Sequence, residues 1–98
     1  MAQSLTITSP KNGSVVKGKI TATVNSTSVR TCNFFLDGKS IGSDSTLPFS
    51  LVIDTTKLIN GSHTLKVSSD NKKANSSVTF SVSNILSSLA AKFAYKKV

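Results

Sequence analysis

Glutamate is absent from this 98-residue chain, and aspartate occurs only four times. Helix surfaces usually draw on glutamate, whereas the abundant serine and threonine of this chain suit strands and turns. A chain of this length forms one domain with a single modest core. The composition therefore argues against a helical protein and favours a small β domain.

Cysteine, histidine and tryptophan are also scarce: the chain has one cysteine (Cys32), one histidine (His63) and no tryptophan. A single cysteine excludes an intrachain disulfide, so the fold is expected to depend on packing alone. One histidine and one cysteine cannot form a zinc site within one chain. The lack of tryptophan weighs against an aromatic platform for sugars. We expect no metal and no cofactor.

Long apolar runs are missing as well. Residues 1–10 have neither a basic start nor an apolar stretch, so no signal peptide is expected. No segment approaches the length of a membrane span. Two settings remain open. The chain is either intracellular or carried on a virion, or it is a segment of a longer secreted protein and lies outside the cell or on its surface.

Alternation of apolar and polar residues is the strongest positive signal. Short alternating runs are separated by turn residues at intervals of about 8–12 positions, which is typical of all-β sandwiches. Each run has one apolar side and one side of Ser, Thr or Lys, so we predict about seven strands in two antiparallel sheets. The residues predicted to face the core are Ile7, Ile20, Ala22, Cys32, Phe34, Leu36, Phe49, Leu51, Ile53, Leu65, Val67, Val78 and Phe80.

Three connections have specific turn chemistry. Asp37-Gly38 predicts a tight hairpin turn with positive φ. The run 55–59 is typical of a single helical turn between strands, with Leu58 entering the core. Asn60-Gly61 then predicts a reversal of the chain.

The alternation ends at about residue 83, and residues 84–98 have a helical period. Ile85, Leu86, Leu89, Ala90 and Phe93 fall on one side of the predicted helix. Ser83 or Asn84 suits its start as a cap. A helix of this length needs a surface on which to bury its apolar stripe. Four alternatives stay open: the sandwich itself, a partner subunit, an anionic membrane, or a disordered tail. We therefore divide the chain into a sandwich, 1–83, and a basic amphipathic helix or tail, 84–98.

Four short motifs stand out along the chain: 37–42 (DGKSIG), 48–50 (PFS), 53–56 (IDTT) and 58–65 (LINGSHTL). They resemble motifs of the bacterial Ig-like domain family, and the opening 7–13 (ITSPKNG) is similar to the first strands of that family. The resemblance covers about residues 5 to 82. It implies an immunoglobulin-like β-sandwich that accompanies enzymes and adhesins on bacterial surfaces. The chain departs from the family at 70–74 (DNKKA), where the usual glycine of the last hairpin is missing.

The residues with catalytic potential have simpler explanations. Ser62 and His63 are neighbours on a predicted strand and point to opposite faces, so they cannot form a nucleophile–base pair. His63 is predicted to be a satisfied core or boundary residue without a second titratable partner. Cys32 is predicted to be a buried, unreactive thiol. The four carboxylates Asp37, Asp44, Asp54 and Asp70 lie one per turn rather than in one loop. We expect no enzyme activity.

One aromatic residue does not fit the core pattern. Phe35 is predicted to point outward from its strand. With Val52 it is the candidate seat for the apolar stripe of the C-terminal helix, whose interaction residues would be Ile85, Leu86, Leu89 and Phe93. The same stripe is the candidate contact for other protein domains or for a second copy of this chain.

The charge is strongly basic, +8 at neutral pH with a single arginine. Such an excess favours contact with polyanions, while the scarcity of arginine weighs against sequence reading in DNA. The candidate contacts for an anionic surface are Lys11, Lys17, Lys19, Lys72, Lys73, Lys92, Lys96 and Lys97. The sequence thus predicts a non-catalytic spacer, adhesion or assembly unit of a bacterial surface, secreted or phage-virion protein. The alternative is a module that binds an acidic polysaccharide, a cell-wall polymer or nucleic acid.

Overall fold

Eight strands form two facing sheets in the computed structural model, which describes residues 3–84. One sheet has three strands in the order β1-β3-β6 and the other has five in the order β2-β8-β7-β4-β5. The strands are β1 (Ser4–Ser9), β2 (Val15–Val16), β3 (Lys19–Thr27), β4 (Cys32–Leu36), β5 (Lys39–Asp44), β6 (Phe49–Asp54), β7 (Gly61–Ser69) and β8 (Asn75–Val82). The predicted all-β sandwich is confirmed.

The short strand β2 corrects the prediction of purely antiparallel sheets. Val15 and Val16 pair in parallel with Ser81 and Val82 of β8. Strands β1 and β2 run in the same direction, and the chain changes sheets between Ser9 and Val15. A two-residue strand has too short an alternation to be recognised in the sequence.

The order of strands places the two ends of the described chain at opposite ends of the sandwich. At one end, which we call the Gln3 end, the Gln3 side chain donates to the carbonyl of Ser28 at 2.9 Å and lies beside the turn after β7. At the other, the Asn84 end, β8 ends beside the β2–β3 turn and the start of β7. Strand β7, with nine residues, spans about 27 Å between them.

Two hairpin turns require left-handed backbone. Asp37 and Gly38 have φ of 51° and 85°, which confirms the predicted tight turn between β4 and β5. In the β7–β8 turn Lys72 takes φ of 61°. A non-glycine residue takes this conformation at a cost of about 1–2 kcal/mol. The Asn71 side chain supports this turn, since its Oδ1 accepts hydrogen bonds from Ser69 Oγ and Lys73 N.

The core between the sheets follows most of the predicted inward residues. Ile7, Ala22, Cys32, Phe34, Leu36, Phe49, Ile53, Leu65, Val67 and Phe80 are buried. Ile20, Leu51 and Val78, also predicted as core, are only partly buried against it. The buried set further includes Leu5, Val24, Val29, Ala74 and Val82, which the prediction does not include. Val29 and Ala74 lie in loops, where no alternation marks the inward side.

A single 3₁₀ turn (Thr55–Lys57) follows β6, and it is the only helical segment within residues 3–84. Its first residue, Thr55, is fully buried, and Leu58 packs partly against the core. This agrees with the helical turn predicted for this connection. The predicted C-terminal helix with Ile85, Leu86, Leu89 and Phe93 lies outside the described residues.

Candidate functional site

His63 is the centre of a hydrogen-bonded polar cluster in the described chain. It lies on β7, with only 6% of its surface exposed, and its ring packs near Phe80 with 6.2 Å between ring centroids. Its Nδ1 lies 2.5 Å from Asp37 Oδ2, and its Nε2 lies 2.8 Å from the carbonyl oxygen of Ile59. The prediction of a satisfied, boundary histidine is confirmed.

The expectation that His63 has no titratable partner is wrong, because Asp37 is that partner. The two residues are 26 positions apart. They meet because β4 pairs with β7 so that Leu36 lies opposite Leu65, which places the Asp37 turn beside Thr64. The Thr64 N–H donates to Asp37 Oδ1 at 2.8 Å and completes the contact. No local sequence signal reveals this pairing.

The geometry favours a protonated ring. The Ile59 carbonyl can only accept a hydrogen bond, so Nε2 of His63 donates to it, and Nδ1 donates as well when Asp37 is ionised, which makes the ring an imidazolium. The Ile59 carbonyl and the Asp37 carboxylate raise the pKa of His63. Burial opposes ionisation of Asp37, but the hydrogen bonds from His63 and Thr64 prevail and lower its pKa.

This cluster lacks the arrangement that nucleophilic catalysis needs. Both nitrogens of the ring are engaged, so neither can accept a proton from a nucleophile in this state. Ser62, the adjacent hydroxyl, is exposed on the opposite face of β7. The cluster therefore acts as a structural contact between the β4–β5 turn and the start of β7.

Cys32 is fully buried, and burial is the main reason that its pKa rises to about 11, with the charge of Asp44 adding to the effect. The thiol stays protonated at neutral pH, as an unreactive core residue does. Within residues 3–84, no group of three or more His, Cys, Asp or Glu side chains is placed to hold a metal ion.

The aspartates mainly shape loops. Asp44 accepts hydrogen bonds from the N–H groups of Ser50 and Thr46, which lower its pKa. Asp54 caps the 3₁₀ turn, and its pKa is lowered first by the Thr56 hydroxyl and N–H and then by the charges of Lys57 and Lys19. Asp70 Oδ1 accepts from Asn33 Nδ2 at 3.3 Å.

The lysines predicted to contact an anionic surface do not converge. Lys17 and Lys19 lie at the Asn84 end, where Lys57 of the 3₁₀ turn joins them. Lys72 and Lys73 lie in the β7–β8 turn at the Gln3 end, and Lys11 lies in the β1–β2 connection between the two ends. Lys92, Lys96 and Lys97 lie outside the described residues.

The candidate seat formed by Phe35 and Val52 does not exist as one surface. Phe35 belongs to β4 in the five-stranded sheet, and Val52 belongs to β6 in the three-stranded sheet. Both side chains point away from the core between the sheets, so they lie on opposite outer faces, with the sheets about 10 Å apart. Val52 is 61% exposed.

Comparison with known proteins identifies the family of this chain. The family model described as "Bacterial Ig domain" matches residues 4–67, about two thirds of the chain. The chain belongs to the bacterial Ig domain family. The resemblance seen in its turn motifs is thereby confirmed. Bacterial Ig domains occur in surface and secreted proteins, and the family is typically non-catalytic.

Solved structures show the same sandwich. An endo-beta-1,4-mannanase from Thermotoga petrophila matches with a TM-score of 0.70 and 14% identity over 86% of this chain and 20% of that one. The fibronectin(III)-like modules of Clostridium thermocellum CbhA match with a TM-score of 0.60 and 23% identity. This match covers 80% of this chain and 92% of theirs. The N-terminal four Ig domains of Dscam1 isoform 4.44 match with a TM-score of 0.57 and 23% identity, over 85% of this chain and 21% of that one.

This bacterial Ig domain thus spans about one fifth of the mannanase and Dscam1 chains. No curated protein sequence matches it. At these identities the structural likeness defines the fold alone. No helix among the described residues is long and apolar enough to cross a membrane.

Proposed function

We propose that this domain is a non-catalytic spacer or assembly unit of a bacterial surface, secreted or phage-virion protein. The observation that carries the proposal is the placement of the first and last described residues. Gln3 and Asn84 lie at opposite ends of the sandwich. A chain that enters at one end and leaves at the other adds the whole length of the strands to whatever it joins.

Hydrogen bonds at the Asn84 end fix the position of the last described residue, which a spacer needs in order to orient what it joins. Asn84 Oδ1 accepts from the N–H of Gly18 at 2.8 Å, and its Nδ2 donates to the carbonyl of Thr55 at 3.0 Å. Its own N–H donates to Asn60 Oδ1 at 2.8 Å. These bonds hold the end of β8 against the β2–β3 turn, the 3₁₀ turn and the residues before β7, so Asn84 has a defined position on the sandwich.

Two full chains fused head to tail test the spacer function. We expect the maximum dimension from small-angle X-ray scattering to exceed that of the single chain by at least one strand length, about 27 Å. The reason is that each copy is traversed from end to end. A fused pair that is no longer than one copy, with the two domains side by side, would contradict it.

Light scattering of the single chain is the control, and it separates the spacer from an assembly unit. A monomeric full chain supports the spacer. A full chain that dimerises, beside a monomeric chain that ends at Asn84, supports assembly through the apolar stripe of residues 85–93. The shorter chain should end at Asn84 rather than at Val82, because it then keeps the hydrogen bonds of Asn84.

Attachment to an anionic surface is the second candidate, and the cluster at the Asn84 end favours it. Lys17, Lys19 and Lys57 lie there, and the charges of Lys57 and Lys19 act on the carboxylate of Asp54. We expect retention on heparin that weakens as salt rises, since exposed charges are screened within about 10 Å at 0.1 M salt.

A matched pair of variants locates the contact. Replacing Lys17 and Lys19 by glutamine should lower the salt concentration of elution more than replacing Lys72 and Lys73, although the change in net charge is the same. Equal shifts would indicate attraction by net charge alone. No retention of the unaltered chain at low salt would eliminate this function.

A further inference from the structure

His63 holds a segment that is not its own strand. The residues from Leu58 to Asn60 connect the 3₁₀ turn to β7, and we call them the 58–60 linker. The Nε2–H of His63 donates to the carbonyl of Ile59 in the middle of this linker, and Nδ1–H donates to Asp37. The ring therefore ties the linker to the β4–β5 turn, and it needs both of its protons to do so.

The same linker holds the end of the described chain. Asn60, the residue after Ile59, accepts a hydrogen bond from the N–H of Asn84 through its Oδ1. One residue of the linker is thus bound by His63 and the next binds Asn84. A change in the position of Ile59 is transmitted to Asn60 through one peptide bond.

Within residues 3–84, the surroundings of the ring contain one charged partner. The β4–β5 turn contributes the carboxylate of Asp37, the linker contributes an uncharged carbonyl, and β8 contributes the apolar ring of Phe80. Among the described residues, Asp37 is the group whose charge acts on the ring. Loss of the His63 proton therefore leaves a ring nitrogen lone pair facing either the Asp37 carboxylate or the Ile59 carbonyl, and that contact becomes repulsive.

We propose that His63 is a pH-dependent pin: its protonated ring holds the 58–60 linker in place, and its deprotonation loosens the hold of Asn60 on Asn84. The position of Asn84 on the sandwich is then fixed in mildly acidic surroundings and released in alkaline ones. The domain would orient a segment or domain joined to its Asn84 end according to pH.

The direction of the effect depends on the two titrations. The pKa of His63 is raised from its ordinary value of 6.5. Its contribution to the free energy of unfolding is therefore complete below that value and is lost as pH rises through the folded-state pKa. The pKa of Asp37 is lowered from 3.8, so its contribution is present above that value and is lost in stronger acid. Both residues therefore contribute fully between pH 3.8 and pH 6.5, the ordinary pKa values of the two groups.

Hydrogen exchange of the Asn84 amide in the full chain, measured by NMR and corrected for the intrinsic rate, tests the pin. Between about pH 5.5 and pH 9, on either side of the ordinary histidine pKa, we expect protection of Asn84 N–H to fall about tenfold, the worth of one hydrogen bond. The ¹⁵N shifts of the ring should show an imidazolium at the lower pH. Equal protection at both pH values, or a neutral ring at about pH 5.5, would overturn the proposal.

Matched variants separate the pin from a general loss of stability. In Asn60→Ala, His63 should still titrate, while protection of Asn84 becomes low and independent of pH. In Asn12→Ala, which removes an equivalent bond from Thr79 N–H to an asparagine Oδ1, the pH response of Asn84 should persist. His63→Gln should abolish the response. A response that survives Asn60→Ala would show that the linker does not carry the effect.

Discussion

Replacing Phe34 by alanine is expected to lower the free energy of unfolding by about 3–5 kcal/mol, the usual cost of deleting a buried aromatic ring. Phe34 is fully buried in the centre of β4 and packs in the core shared by the two sheets. A domain of this size has a total stability of about 5–15 kcal/mol, so the variant should be close to the limit of folding. Urea denaturation at low temperature, followed by circular dichroism, measures the loss.

Phe35 provides the matched control, because it lies next to Phe34 on the same strand and points to the outer face. Phe35→Ala removes the same ring but leaves no cavity in the core. We expect it to cost about 1 kcal/mol or less, in the range of surface substitutions. If both variants lost the same stability, Phe35 would be covered as completely as Phe34, and the assignment of the two faces of β4 would be wrong.

Replacing Thr55 by valine is expected to cost about 1–3 kcal/mol, although the two side chains have almost the same shape. Thr55 is fully buried, and its hydroxyl donates to the carbonyl of Gly18 at 2.5 Å. The hydroxyl also accepts from Asn84 Nδ2 at 3.2 Å. Valine keeps the volume but removes both bonds, at the point where the two sheets and the end of β8 meet.

Thr64→Val is the corresponding control on an exposed position of β7. The Thr64 hydroxyl makes only a long contact of 3.5 Å with that of Thr79, at the surface. We expect a change within about 0.5 kcal/mol. Thermal or urea unfolding measures the free energy of unfolding of both variants. Equal decreases would mean that the hydrogen bonds of the Thr55 hydroxyl do not stabilise the Asn84 end.

The turn residues and the alternating runs were sufficient to predict the fold and its family. Asp37-Gly38 predicted its hairpin because few residues adopt positive φ at low cost. Cys32, Phe34 and Leu36 predicted one buried side of β4, because side chains alternate across a strand. Both signals depend on residues that are close in the chain, and the structure bears them out.

Contacts between distant residues could not be predicted in this way. The alternation indicated that His63 faces inward, but it contained no information on which turn would lie over the ring. The turn that contains Asp37 lies over the ring only because β4 pairs with β7 in one particular register. In the same way Phe35 and Val52 both point outward, and only the assignment of their strands to different sheets places them on opposite faces.

By itself, then, the sequence determined a basic Ig-like sandwich, with most of its core residues and the tight turn between β4 and β5. The tertiary structure alone decided that Lys17 and Lys19 lie at one end and Lys72 and Lys73 at the other, that His63 pairs with Asp37, and that Asn84 is bound to the β2–β3 turn, the 3₁₀ turn and the residues before β7. The physical reason is that backbone conformation and alternation are local properties. Charge placement and proton state instead depend on which strands pair and in which register.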